Sequence, residues 1–231
     1  MTDIERNGRP AGTVLLSRGE VEALCTKAAR GAGMEWGLAE EAGFAASWLS
    51  SRGYDGAGLL LRHLASTGGR GYDNLRPYPD GGIWRAKGQG AICPICLGAA
   101  LLDRASLPDG PFAQGFTTDP VSYPLLALPF LAEAGQRLNR SFAVEIDDMG
   151  FDLATGRFDE PSVRALARLE KGRLTVRIAP SEDGTPQVSR QSMVRTSKSD
   201  IAGLEAFAMR TTVPATDASR QGAGADGTDN D

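Results

Sequence analysis

The chain has few of the residues that form metal sites and disulfide bonds, with three cysteines and one histidine among 231 residues. An odd number of cysteines in a mid-sized chain does not form a disulfide framework, and reduced thiols are typical of the cytoplasm. Folding requires neither a disulfide bond nor a metal ion, because a chain of this length can bury about 70% of the surface that its unfolded form exposes. A single histidine allows only one Ser–His–Asp centre, and no Gly-x-Ser-x-Gly segment accompanies it. Nucleophilic hydrolysis of that type is not supported.

Long apolar runs and an excess of positive charge are also missing. The longest apolar stretch, from Pro124 to Ala132, contains proline and is far shorter than the ~20 residues that span a bilayer. The first residues include acidic side chains and no apolar segment of signal-peptide length. A formal net charge of −4 gives no electrostatic attraction for nucleic-acid phosphates or anionic lipid. The composition therefore predicts a soluble cytoplasmic protein with neither a nucleic-acid nor a membrane partner.

The beginning of the chain has the pattern of a helical cluster. Ser17 and Glu20 have the spacing of a capping box, and apolar residues follow at helical intervals. The same periodicity predicts a second helix over about 35–51, and Asp55 is a suitable N-cap for a third. Glycine is abundant, because 29 of 231 residues is nearly double its usual share of about 7%. Close backbone contacts are therefore expected. We expect helices over about 13–66.

The remainder of the chain has a different pattern. Glycine, proline and aromatic residues from about 67 to 90 predict a long linking loop. A short buried helix is predicted over about 94–104 and a last helix over about 200–209. Apolar, alternating or β-branched residues predict four strands, over 123–131, 140–146, 173–179 and 188–194. We expect the last two strands to form a hairpin.

These patterns together predict an α+β fold. We expect a single domain over 1–231, in which an N-terminal helical cluster packs on a C-terminal, mainly antiparallel sheet. The helical half covers about 13–66, the linking loop about 67–90, the strand-rich half about 91–210 and the tail 211–231.

Three segments carry a resemblance to a known family. They are AARGAGMEWGLAEEAG from Ala28 to Gly43, GAICPICLGAALLD from Gly90 to Asp103, and TVPATDASRQGAGADGTDND at the C-terminus. They resemble a bacterial family of proteins of unknown function, DUF3726, and the resemblance covers nearly the whole chain. The family has no known activity to transfer, so the resemblance implies a bacterial protein without implying a reaction.

A second similarity concerns the helical half alone. The segment AGMEWGLAEEAGFAASWL, followed by YDGAG, is similar to the start of the malate/lactate dehydrogenase family that lacks a Rossmann fold. Those enzymes have a histidine after the corresponding turn, where this chain has Gly56-Ala57-Gly58. The similarity therefore implies a related arrangement of helices rather than hydride-transfer chemistry.

The sharpest local motif is Cys93-Pro94-Ile95-Cys96. If Pro94 takes the first helical position, Cys93 lies at the N-cap, near free amides and the positive end of the helix dipole. That environment lowers a thiol pKa and is typical of Cys-x-x-Cys redox sites, which makes Cys93 and Cys96 candidate catalytic residues. The alternative is burial of both as small apolar side chains, because the preceding residues are not typical of the strand that redox folds place there.

A zinc site is another hypothesis, since Cys25, His63, Cys93 and Cys96 could supply four ligands. Zinc modules usually bring two close pairs, however, and this chain has one. His63 also lies on a leucine-rich helix, where a partly buried structural histidine is more typical than a ligand or base. We therefore predict no metal site, and the sequence identifies no cofactor.

Two residues at the start of the second predicted helix are further candidates. Glu40 is a candidate general acid or base, with a solvated or salt-bridged carboxylate as the alternative. Glu41 is adjacent and points in a different direction. Trp36 is a candidate ligand-binding residue on the same helix.

The tail offers a candidate anion site. Ser219 and Arg220 precede Gly222 and Gly224, so backbone amides and a guanidinium could together bind an anion or small ligand. Docking of the tail for packing alone and a disordered terminus are the alternatives.

Two classes of function fit these observations. The first is a small-molecule-binding metabolic protein or enzyme whose site lies between the two halves, near the aromatic segment from Tyr72 to Trp84. The second is a non-catalytic accessory or assembly protein that uses the same surfaces to bind a protein partner or a second copy. The sequence alone does not decide whether the protein is an enzyme.

Overall fold

A computed structural model describes residues 12–67, 69–147, 149–152, 165–179 and 191–211. Its helices are α1 Arg18–Gly31, α2 Trp36–Ser50, α3 Gly56–Ser66, α4 Pro94–Asp103, α5 Pro111–Gln114, α6 Leu128–Leu138 and α7 Lys198–Ala208. Its strands are β1 Thr13–Ser17, β2 Pro77–Asp80, β3 Ile83–Ala86, β4 Phe116–Thr118, β5 Val121–Ser122, β6 Ser141–Ile146, β7 Met149–Asp152, β8 Lys171–Gly172, β9 Leu174–Ala179 and β10 Met193–Ser197. The predicted α+β class is confirmed. None of the described helices is long and apolar enough to cross a membrane.

The first three helices begin where the sequence predicts. Ser17 and Glu20 form a complete capping box at the start of α1, with each side chain bonded to the other residue's backbone amide. Asp55 caps α3 by accepting a hydrogen bond from the amide of Gly58 at 3.0 Å. Helices α1 and α2 approach closely at Gly43, where a Cβ would lie 2.2 Å from Thr26 Oγ1. The helical cluster therefore depends on local caps and on one small residue at the α1–α2 contact.

The main sheet has six strands in the order β2-β3-β4-β9-β6-β7. All its neighbours are antiparallel except β3 and β4, which are parallel. Along β6, buried residues alternate with half-buried ones, because one face of the strand packs on the core. Two smaller sheets pair β1 with β10 and β5 with β8.

The predicted strand over 123–131 is wrong. This run forms a 3₁₀ turn, Pro124–Ala127, followed by α6. Its apolar residues are buried throughout, so no alternation distinguishes a strand from a helix. Both prolines lie in first turns, where a missing amide loses no helical hydrogen bond.

Two other predictions need correction. The described residues do not form the predicted hairpin between 173–179 and 188–194, because β4 and β6 lie on the two sides of β9, and Met193 and Val194 belong to β10, which pairs with β1. The segment 67–90 is not one long loop, since it contains a 3₁₀ turn, Tyr72–Leu75, and the β2–β3 hairpin. The turn residues Gly81 and Gly82 both have positive φ, as a two-residue hairpin turn requires. This turn allows the two four-residue strands β2 and β3 to pair.

Candidate functional site

Cys93 is placed by the start of α4. Pro94 occupies the first turn of the helix and leaves Cys93 at the N-cap, as predicted. The amide of Cys93 donates to the carbonyl of Leu75 at 3.1 Å, and the preceding Ile92 forms a parallel bridge with Val121. These contacts hold the cysteine between the 3₁₀ turn and β5, where its side chain is fully buried.

His63 reaches the same point from α3. It lies four residues after Leu59 and three after Leu60, and all three side chains face the core. Only 1% of the histidine is exposed. Burial on this scale requires partners for both ring nitrogens.

Both nitrogens have partners. Nε2 lies 3.3 Å from Cys93 Sγ, and Nδ1 lies 3.2 Å from Ser122 Oγ. The Ser122 hydroxyl donates its single proton to the carbonyl of Ile92 at 3.3 Å, so its oxygen accepts from Nδ1–H. When the ring is neutral, this network leaves Nε2 as an acceptor facing Cys93 Sγ.

The surroundings of Cys93 favour its thiolate. Burial opposes ionisation, but hydrogen bonding from Cys96 and the charge and hydrogen bond of His63 outweigh it, and they hold the pKa of Cys93 well below its ordinary value. The backbone amide of Cys96 contributes in the same direction. A thiolate, unlike a thiol, is a strong nucleophile.

Cys96 behaves in the opposite way. It lies at the third helical position, one turn after Cys93, and is 4% exposed. Its hydrogen bond to Cys93, its burial and the charge of Cys93 all raise its pKa. The pKa of Cys93 is therefore lowered while that of Cys96 is raised, an asymmetry that is typical of Cys-x-x-Cys redox sites.

Tyr72 adds a hydrogen-bond donor beside the sulfurs. The residue is 7% exposed, and its hydroxyl has no hydrogen-bond partner among the described residues. Burial and then the charge of Cys93 raise its pKa, and the nearby Thr67 has a smaller opposite effect. Thr67 uses its own hydroxyl proton for the carbonyl of Leu64 at 2.7 Å. The Tyr72 hydroxyl is thus buried without a hydrogen-bond partner among the described residues, on the 3₁₀ turn whose Leu75 carbonyl accepts from the amide of Cys93.

A cleft of about 440 Å³ lies near the histidine. Tyr123 lines this cleft and also packs edge-on against His63, with 6.2 Å between the ring centroids. The tyrosine has φ of +43°, which is unusual for a residue with a side chain. The other lining residues are Asp55, Arg62, Ala167, Arg168 and Glu170.

The other predicted site residues do not join this cluster. Glu40 is exposed on α2, and no hydrogen bond or ion pair among the described residues links it to either cysteine of the motif. Trp36 is 64% exposed, with the guanidinium of Arg30 5.1 Å from its ring centroid. The tail candidates, Ser219, Arg220, Gly222 and Gly224, lie outside the described residues.

Cys25 is separate from the cluster. It is fully buried on α1, and burial, followed by the charges of Asp55 and Glu22, raises its pKa. Among the described residues, no group of three or more histidine, cysteine or acidic side chains is arranged to hold a metal ion. All three cysteines are free thiols.

Comparison with known proteins gives one match. A family described as "Protein of unknown function (DUF3726)" matches residues 16–90, which is less than half of the chain. The matched segment includes His63 and Tyr72 but ends before Cys93. Neither the comparison with curated proteins nor that with solved structures found a match, so the similarity to the malate/lactate dehydrogenase family has no support.

The sequence predicts the cysteine pair as candidates but not the contacts that the pair makes. It favours a structural role for His63, does not single out Ser122, and names Tyr72 only as the start of the aromatic segment. The spacing of His63 from Leu59 and Leu60 shows that its ring faces the core, where an imidazole needs polar partners. That signal could have identified the histidine as half of a buried polar pair, but not which residue completes it.

Proposed function

We propose that the protein is a small-molecule-binding enzyme that uses Cys93 as its nucleophile, with the site between the helical and strand-rich halves. The observation that carries the proposal is the buried contact of 3.3 Å between Cys93 Sγ and His63 Nε2. A nucleophile and a base at hydrogen-bonding distance, with the base oriented by a third group, form the usual arrangement for covalent catalysis. Ser122 is that third group.

The position of the cluster agrees with a site at the junction of the halves. His63 comes from α3, Cys93 begins α4, and Ser122 ends β5. Binding sites favour such junctions because groups from separate elements converge there. Tyr123 connects the cluster to the neighbouring cleft, which makes the cleft the proposed approach for a small molecule.

The chemistry follows from the proton positions. His63 Nε2 accepts the proton of Cys93, and the resulting imidazolium stabilises the thiolate at the same contact. The thiolate then attacks an electrophilic atom of the substrate, and Nε2–H supplies a proton to the leaving group. Ser122 keeps the ring oriented through Nδ1, so it acts as a positioning residue.

We also propose that the protein is bacterial and cytoplasmic, and that its resemblance to the DUF3726 family extends beyond residues 16–90. The match over the helical half supports the family relationship there. Three buried free thiols support a reducing compartment.

Site-resolved alkylation tests the nucleophile. We expect iodoacetamide to modify Cys93 of the native protein at least about tenfold faster than Cys25, because an ordinary thiol is only a few per cent ionised near pH 7. His63→Gln should remove most of this advantage, whereas the control Cys25→Ser should leave it unchanged. Mass spectrometry of the peptides identifies the modified residue.

Equal rates for Cys93 and Cys25 in the native protein would contradict the proposal. That result would favour the alternative of a non-catalytic accessory or assembly protein, in which the cluster serves packing alone. Circular dichroism of each variant shows whether a lost rate reflects lost folding.

A further inference from the structure

We propose that Cys93 and Cys96 form a dithiol that reduces a small uncharged hydroperoxide, with hydrogen peroxide as the simplest case, and that Tyr72 hydrogen-bonds the reacting oxygen. This inference rests on the proposed role of Cys93 as a nucleophile. It adds the substrate class, a resolving residue and a positioning residue.

The burial of the sulfurs selects the substrate. Cys93 is fully buried and Cys96 is 4% exposed, so a protein disulfide or a bulky thiol cannot reach either sulfur without local unfolding. A charged oxidant would lose its hydration on entering such surroundings, whereas a small neutral molecule would lose little. Small hydroperoxides satisfy both conditions.

The second sulfur lies where an internal disulfide needs it. Cys93 at the N-cap and Cys96 at the third helical position are one turn apart, a spacing at which side chains on a helix face each other. The neighbouring Cys93 and burial raise the pKa of Cys96, which favours its protonated form. One residue is therefore ready to attack the oxidant and the other to resolve the product.

Tyr72 is the independent observation that points to a ligand. Its hydroxyl is buried and has no hydrogen-bond partner among the described residues, and it belongs to the 3₁₀ turn whose Leu75 carbonyl accepts from the amide of Cys93 at 3.1 Å. The charges of Cys93 and Cys96 both raise its pKa. A buried donor without an acceptor is destabilising, and an oxygen atom bound at Cys93 would satisfy it. The same hydrogen bond would polarise the peroxide and later hold the sulfenic acid.

The reaction balances with the groups in place. The Cys93 thiolate attacks one peroxide oxygen, an S–O bond forms, the O–O bond breaks, and the leaving hydroxide takes the Nε2 proton of His63 to become water. Cys96 then attacks the Cys93 sulfur, the S–S bond forms, and the hydroxide that leaves takes the Cys96 proton, with neutral His63 as the carrier. Two sulfurs lose two electrons and the peroxide gains them. A small external dithiol resets the pair by exchange during local opening of the site, which is the access that the buried sulfurs require.

Single-turnover oxidation of the full chain tests the inference. One equivalent of hydrogen peroxide should yield a protein lighter by two hydrogen atoms, with a Cys93–Cys96 disulfide in the peptide map. Cys96→Ser should instead accumulate a sulfenic acid at Cys93, which dimedone captures. Cys25→Ser is the matched control and should form the disulfide at the unchanged rate.

Tyr72→Phe separates a positioning role from a structural one. Loss of one hydrogen bond predicts oxidation about three- to tenfold slower. The alkylation rate of Cys93 and the folding stability should not fall, since the substitution removes only an unsatisfied hydroxyl. An unchanged oxidation rate in Tyr72→Phe would overturn the role of the tyrosine.

The outcomes distinguish this inference from the proposal on which it rests. If Cys93 is alkylated in a His63-dependent way but peroxide oxidises it no faster than Cys25, the substrate class is wrong and the nucleophile remains. If sulfenic acid persists in the unsubstituted protein, Cys96 is not the resolving residue. If neither reagent prefers Cys93, both proposals are wrong.

Discussion

Three identical side chains lie in three different surroundings in this protein. Cys25 is buried near carboxylates, and its pKa is raised. The neighbouring Cys93 and burial raise the pKa of Cys96. The pKa of Cys93 is lowered despite burial, because Cys96 and His63 both favour its thiolate. Hydrogen bonds and the charge of His63, rather than exposure, therefore distinguish the pKa of Cys93 from those of the other two thiols.

Tyr72 provides a prediction about stability at the residue scale. In the unfolded chain its hydroxyl is hydrated, whereas in the folded protein it is buried without a partner among the described residues. We expect Tyr72→Phe to raise the free energy of unfolding by up to about 1 kcal/mol, as measured by urea denaturation. The stabilised variant would oxidise more slowly, a trade-off typical of functional sites.

A destabilising effect of Tyr72→Phe would contradict this prediction. A loss of more than about 1 kcal/mol in Tyr72→Phe would show that the hydroxyl makes a favourable hydrogen bond. The claim that it awaits a ligand oxygen would then be wrong.

At the scale of elements, α4 begins directly after Cys93, carries Cys96 and is fixed by one close contact. A Cβ on Gly98 would lie 2.1 Å from the ring of Phe130, so α4 packs on α6 with no space for a methyl group. The ring of Phe130 is fully buried and cannot move outward without displacing the core. Gly98 therefore sets the position of the helix that begins at Cys93.

Gly98→Ala tests this packing. We expect a loss of about 1–3 kcal/mol in the free energy of unfolding, because the added methyl group overpacks the α4–α6 contact. Gly37→Ala is a matched control in α2, where a Cβ meets no atom within 4 Å and no loss is expected. Thermal unfolding of both variants gives the two changes in stability. Equal changes in Gly98→Ala and Gly37→Ala would contradict the close approach at Gly98.

Elements whose signals are local could be predicted from the sequence. Ser17 with Glu20, Asp55, and Pro94 each start a helix through contacts within a few residues. The strand predicted over 123–131 is wrong, since this run is buried throughout and has no polar face that would distinguish a helix from a strand. The pairing of β10 with β1 joins residues far apart in the sequence, and no local pattern encodes it.

The whole molecule brings the reactive groups together. His63 is 30 residues before Cys93, and Ser122 is 59 residues after the histidine. Helix α7 returns to pack on α1, where Gly31 lets the carbonyl of Phe207 approach closely. The candidate site thus depends on how the elements pack, which is why the sequence predicts its cysteines as candidates but not their contact with His63.

The central claim is that His63 holds Cys93 as a thiolate at the junction of the two halves. The most direct measurement is the ultraviolet absorbance of the thiolate during a pH titration, taken as the difference between the unsubstituted protein and Cys93→Ser. We predict that this absorbance persists well below the ordinary thiol pKa of about 8.5, and that His63→Gln moves the transition upward. A Cys93 that titrates at or above its ordinary pKa, with or without His63, would contradict the account.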